Sequence, residues 1–250
     1  MQSATIFIQA RLSSKRLPGK VLKKACSKPL LTFLLDRLLL CKLPLFLLVP
    51  KKDKDAFSNF LEKVYPRLSV HDFKKSKKKV PIKLFCGPEK NVLKRFFLAS
   101  LVHPFDHYIR VTADNPLTCE VCLKSILKHH LKKNEKQKID LSYPTGLPYG
   151  AGVEIINGAT LKKLNDEPSI NKITNITKKQ QEHVTLFIHE NPKLFRLQAI
   201  EVEKKYYAPN LRVTVDTQKD FDLFVKRMKS NGGEKKVVPL KKIIAEETSK

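Results

Sequence analysis

Four short runs of β-branched and other apolar residues, at 5–8, 45–49, 82–86 and 108–111, are each followed by a stretch with apolar residues at helical spacing. That alternation constrains the fold more than any other feature of the chain. Consecutive strands joined through helices predict a parallel, doubly wound α/β sheet, whose ligands sit at the carboxyl ends of the strands. Helices are expected over 29–42, where Leu30, Leu31, Leu34, Leu35, Leu38 and Leu39 share one face, and over 53–64, with Asp53 as its cap. Further helices are expected over 92–101, 119–132 and 235–250, and the lysine run at 74–79 reads as a polar loop.

The first strand feeds directly into a loop containing Arg11, Lys15, Arg16 and Lys20, with hydroxyls at Ser13 and Ser14 and a Pro18-Gly19 break. Arginine forks onto phosphate oxygens and lysine adds a compact point charge, so such a loop suits an anionic ligand. A solvated basic turn is the plain alternative. Gly19, Gly87, Gly146, Gly150 and Gly152, five of only eight glycines, fall in loops that this topology places on one rim. They suit sharp bends or close approach to a ligand, although each alone could be a simple turn.

At 250 residues the chain suits one large α/β domain. Its formal charge of +25 favours anionic partners and says little about fold. Nucleic acid is disfavoured as the main substrate, because no zinc finger, helix-turn-helix or aromatic RNA-binding signature accompanies the dispersed lysines. The most apolar stretch, 30–40, is broken by Asp36 and Arg37 and is too short to span a bilayer, and no leader sequence is read. Five cysteines without a secretory pattern suggest a reduced, cytoplasmic protein. The single Cys119-x-x-Cys122 reads as two small buried helix residues rather than a redox or zinc motif.

Two acidic segments complete the candidate site. Arg110-Val111-Thr112-Ala113-Asp114-Asn115-Pro116 ends a strand in Asp114, where a helix-capping role is the alternative. Leu211-Arg212-Val213-Thr214-Val215-Asp216-Thr217 alternates like a strand and ends in Asp216 before a helix whose first turn carries Asp220.

Taken with these, Ala10-Arg11-x-x-Ser14-x-Arg16-Leu17-Pro18-Gly19-Lys20 resembles the signature loop of the sugar cytidylyltransferases, the group of CMP-KDO and CMP-sialate synthetases. It is most similar to the spore coat polysaccharide biosynthesis protein F branch. The resemblance implies a Rossmann-like, doubly wound mixed sheet of the nucleotide-diphospho-sugar transferase (GT-A-like) type, in three α/β/α layers. It implies one domain over 1–250, with a nucleotide half at 1–135 and an acceptor half at 136–250. The implied reaction passes CMP from CTP to a sugar acid or related small molecule, releases pyrophosphate and serves cell-surface polysaccharide synthesis.

By the same resemblance, Arg11, Arg16, Lys20 and Asp114 are catalytic, and Ala10, Ser14, Gly19, Gly87 and Thr112 line the nucleotide. Asp114 and Asp216 hold Mg²⁺, Glu154 and His183 face the acceptor, and the protein is a homodimer. The segment 181–185, Gln-Glu-His-Val-Thr, is expected on a helix; a packed or dimer-facing role for His183 stays open. Ala113, Lys90, Asn91 and the Gly150-Ala151-Gly152 run depart from the family pattern. A glycosyltransferase of related fold is disfavoured, because an Asp-x-Asp motif is missing at Asp114. A non-catalytic polyanion-binding protein remains the rival from another class.

Overall fold

The computed structural model describes residues 2–66, 82–165 and 176–248, so the lysine run at 74–79 lies outside the described residues. The chain begins with β1 (Ala4–Gln9), a small hairpin of β2 (Lys24–Ala25) and β3 (Lys28–Pro29), α1 (Leu30–Leu39), β4 (Leu45–Pro50), α2 (Lys54–Val64), β5 (Ile82–Gly87), α3 (Val92–Val102) and β6 (His107–Thr112). The chain continues through α4 (Glu120–Lys136), β7 (Leu141–Thr145), β8 (Glu154–Asn157), α5 (Gly158–Lys163), α6 (Lys178–Glu182), α7 (Leu186–Glu190), β9 (Leu197–Glu201), α8 (Gln218–Ser230) and α9 (Leu240–Thr248).

Among the described residues, seven strands form one sheet in the order β5-β4-β1-β6-β8-β7-β9. β5, β4, β1 and β6 are parallel, as the βα alternation predicts. β8 runs antiparallel to both β6 and β7, while β7 and β9 pair in parallel. The sheet is therefore mixed, which corrects the all-parallel reading of the alternation and agrees with the resemblance. β1 lies at its centre and is buried on both faces, which is why it reads as a continuous apolar run.

The two faces of β1 build two separate cores. Ile6 and Ile8 pack with α1, Phe57 and Leu61 of α2, Leu123 of α4, Phe224 of α8 and Ile243 of α9. Phe7 points the other way and meets Phe46, Phe96 and Tyr108 at ring-centroid distances of 5.5, 5.6 and 4.8 Å. Helices on both faces make the three layers.

Three local expectations are revised. The 211–215 segment forms no strand; it makes one parallel bridge, Tyr149 with Arg212. Its backbone instead ties rim loops together, through Val213 N–H to Tyr149 O at 2.9 Å and Val215 N–H to Asp114 O at 2.8 Å. Extended backbone lying on the core gives the same alternation as a strand, since Val213 and Val215 are buried. Asp53 does not cap α2; its buried carboxylate accepts the Leu12 N–H at 3.0 Å and so holds the basic loop. Residues 183–185 sit in the break between α6 and α7, not on a helix. The charged interruption at Arg37 is buried: its guanidinium meets Glu120 at 3.0 Å, Pro116 O at 3.0 Å and Val238 O. Among the described residues no helix is long and apolar enough to cross a membrane.

Candidate active site

The basic loop is held by hydrogen bonds to its own backbone and to neighbouring loops. Ala10 N–H donates to Leu48 O at 3.1 Å, and Gly19 N–H closes the loop on Leu12 O at 3.0 Å. Gly19 has φ +65°, a conformation that costs a side chain and that glycine adopts freely. Ser14 N–H donates to Leu12 O at 2.8 Å, and Ser13 Oγ donates to Glu89 at 3.0 Å. Gly87 ends β5 against Arg95, and a Cβ there would lie 2.7 Å from Arg95 Cγ. Buried Arg95 in turn holds the adjoining loop by donating to Pro88 O and Glu89 O, at 2.8 and 2.9 Å.

Lys20 is the centre of the arrangement. Its side chain is 9% exposed, and its ammonium donates to Asp114 Oδ2 at 3.0 Å, Asp216 Oδ1 at 2.9 Å and Val215 O at 2.8 Å. An ammonium has three protons, and all three are used. Arg16 reaches Asp216 from the solvent side at 3.2 Å, and Arg212 reaches the other oxygen of Asp216 at 2.6 Å. Burial pushes the Asp216 carboxyl up, but Lys20, Arg212 and Arg16 outweigh it and hold it below the usual carboxylate range. Asp220 accepts the N–H groups of Asp216 and Thr217 and completes a capping box with Thr217. The helix-cap alternative for Asp114 fails, because α4 is capped by Cys119, whose sulfur accepts the Cys122 N–H. Both cysteines are buried, in line with the packing role.

Arg11 lies apart from this cluster and pairs with Glu182 of α6 at 2.8 Å. Thr112 accepts from the Asn115 amide at 2.7 Å, which shapes the turn before Pro116. Asn91 caps α3 by accepting the Lys94 N–H at 2.8 Å, giving that family departure a local structural duty.

Beside the acid pair opens a cleft of about 510 Å³, lined among others by Thr112, Asn115, Tyr149, Glu154, Lys179 and His183. Glu154 forms its floor and is fully engaged: Arg110 at 2.6 Å, Thr185 Oγ1 at 2.7 Å and His189 Nε2 at 2.7 Å. Burial would raise this carboxyl, but Arg110, His189 and Thr185 together draw it down to about 2. His183 is exposed on the cleft wall, so the histidine that meets Glu154 is His189, which sequence reasoning missed. Its spacing from Thr185, one helical turn, was the available signal. Arg212 was also missed as a site residue; it connects Asp216 to the cleft by lying 5.1 Å over the Tyr149 ring.

Of the residues expected in the site, the structure brings Arg16, Lys20, Asp114 and Asp216 together and places Glu154 and His183 in the adjoining cleft. An open α/β sheet that gathers a cationic loop and two carboxylates on its carboxyl rim has the architecture of a nucleotide-dependent transferase. The chain belongs to the cytidylyltransferase family, whose sequence profile matches residues 5–246. It is 30% identical to the spore coat polysaccharide biosynthesis protein SpsF of Bacillus subtilis, over 98% of this chain and 93% of that one. Its fold matches a cytidylyltransferase from Leptospira borgpetersenii with a TM-score of 0.71 at 20% identity, over 93% and 96% of the two chains. It also matches CMP:2-keto-3-deoxy-manno-octonic acid synthetase complexed with CTP, with a TM-score of 0.62 at 14% identity, over 91% and 99%.

Proposed function

We propose that this cytidylyltransferase passes CMP from CTP to a sugar acid or related small acceptor in cell-surface polysaccharide synthesis. The observation that carries the site assignment is the convergence of Lys20 and Arg16 on Asp114 and Asp216. An acceptor oxygen attacks the α-phosphorus, the bond to the β-phosphate oxygen breaks, and pyrophosphate leaves. Such chemistry needs positioning and charge neutralisation more than covalent help. Arg16 and Lys20 neutralise the β- and γ-phosphates, with Arg11 at the loop's outer edge. Gly19, Ala10 and Ser14 give the triphosphate close access to backbone, while Gly87 and Thr112 border the nucleoside.

Asp114 and Asp216 fit a divalent cation. One oxygen from each and the Val215 carbonyl already converge within 3.0 Å of a single cationic atom. Hard oxygen donors, too few for a complete protein cage, suit Mg²⁺, which keeps waters and substrate phosphates as its other ligands. Such an ion would offset the charge of the triphosphate. The cleft holds the acceptor, with Glu154 fixing Arg110 and His189 in place and His183 and Lys179 on the wall. The free thiols at Cys26, Cys41, Cys86, Cys119 and Cys122 suit the cytoplasm.

Purified protein with CTP, Mg²⁺ and a panel of sugar acids is expected to release pyrophosphate, and Asp114→Asn is expected to stop it. Unchanged turnover in that variant would remove Asp114 from the site. A thermal-shift comparison of all four nucleoside triphosphates with Mg²⁺ reads base preference, because a ligand that binds only the folded state raises Tm.

A further inference from the structure

Lys20 occupies the position that a divalent cation would need. Among the described residues, its ammonium is the only side-chain nitrogen that reaches both Asp114 and Asp216. Arg16 and Arg212 are far more exposed, at 63% and 44%, and each touches Asp216 but not Asp114. The Lys20 side chain is 9% exposed and its three protons are all accepted, so no open coordination position separates the two carboxylates. The same loop bears Gly19 at φ +65°, immediately before Lys20, with open space around it.

We infer that Lys20 is a stand-in cation: it holds the two carboxylates together and keeps divalent metal out of the nucleotide-free site. This rests on the nucleotidyl-transfer reading above. A triphosphate arriving at the basic loop offers the ammonium a more strongly charged partner and draws it off the acid pair. The two carboxylates, already placed, are then open to a cation that enters with the nucleotide. Lys20 therefore has two positions, one on the acids and one on the phosphates. The exchange keeps the carboxylates neutralised throughout, which avoids leaving two partly buried like charges unpaired.

The test is Mn²⁺ binding followed by electron paramagnetic resonance, with no turnover required. Nucleotide-free wild-type protein is expected to bind Mn²⁺ weakly, and Lys20→Met to bind it roughly tenfold or more tightly, as release of a buried pairing cation implies. Asp114→Asn placed in the Lys20→Met background should erase that gain. Lys20→Gln, which retains hydrogen bonding, gives the same readout should the methionine variant fold poorly. Adding methylammonium to Lys20→Ala should weaken its Mn²⁺ binding, because the small cation refills the gap. Equal Mn²⁺ affinity in wild type and folded Lys20 variants would overturn the stand-in role, as would tight binding to nucleotide-free wild type. Those results would leave CTP-dependent pyrophosphate release untouched. Absence of both pyrophosphate release and CTP-dependent Mn²⁺ binding in wild type would instead sink the functional reading, while the variant comparison still decides the role of Lys20.

Discussion

Lys20 Nζ lies 2.9 Å from Asp216 Oδ1, although 196 positions separate the two residues. This contact joins the loop after the central strand to the segment before α8, and it makes one site of two ends of the chain. The buried end of Lys20 is fixed by Asp114 and Val215 as well, so one ammonium ties three segments of the chain together.

Asp216 and Asp220 should separate cleanly by substitution. Asp216→Asn removes an oxygen charge shared by Lys20, Arg16 and Arg212 and is expected to lower turnover by about 10²–10³-fold. Asp220→Ala removes a cap acceptor and should cost about 1 kcal/mol of stability with a smaller loss of rate. Calorimetry paired with a pyrophosphate assay on both variants distinguishes them.

Arg37→Ala should destabilise the fold by about 3–5 kcal/mol, because it strands Glu120 and two backbone carbonyls in the interior. The same burial holds the Arg37 guanidinium below its ordinary range, with Glu120 opposing the shift. Urea unfolding of Arg37→Met, Glu120→Gln and the pair reads the coupling. Additive losses would show that the two side chains do not act together.

Two glycines with positive φ should respond differently to alanine. Gly19 has open space around it, so Gly19→Ala should cost about 1–2 kcal/mol from backbone conformation alone. Gly150 has φ +93°, and an added Cβ would lie 2.7 Å from the Thr214 backbone nitrogen. Gly150→Ala should therefore cost more and also push the cleft loop away from the Asp216 segment, lowering kcat/KM. A thermal melt and steady-state kinetics on both variants give the order directly.

Acid should weaken the protein well before its carboxylates protonate. His130 is fully buried between His107 at 2.9 Å and Ser142 at 2.7 Å, and burial, then the proximity of His107, draws it down to about 3. His107 is lowered by burial as well. The unfolded chain protonates His130 near 6.5 and the folded chain only near 3, so the unfolded state holds the extra proton between them. Stability is expected to fall as pH drops through that window, by up to about 1.4 kcal/mol per pH unit for one such histidine. Glu154 adds a second loss from about 4.5 down to 2, where its depressed carboxyl finally takes a proton. Urea unfolding between pH 7 and 4 should show the first slope, and His130→Gln should flatten it.

Much of the central architecture was legible. β1 and β4 carry unbroken apolar runs because both of their faces are buried, and such a run can be seen from the residues alone. The later part of the chain was harder. β8 is only four residues long and antiparallel, and its direction depends on which neighbours it finds, not on its own composition. The 211–215 segment shows the same limit from the other side, since alternation reports extended backbone on a core and does not report sheet membership.

By itself the sequence determined that a cationic loop follows a buried strand, that Asp114 and Asp216 end apolar segments, and that the chain fits the cytidylyltransferase pattern. Hydrophobic period and turn chemistry act over a few residues, so these features are written locally. Only the tertiary structure decided that Lys20 sits between the two carboxylates, that Asp53 serves the Leu12 amide, and that Glu154 takes His189 rather than His183. Those choices depend on distances of about 3 Å between residues far apart in the chain, set by how the sheet and helices pack and by the need to satisfy every buried charge.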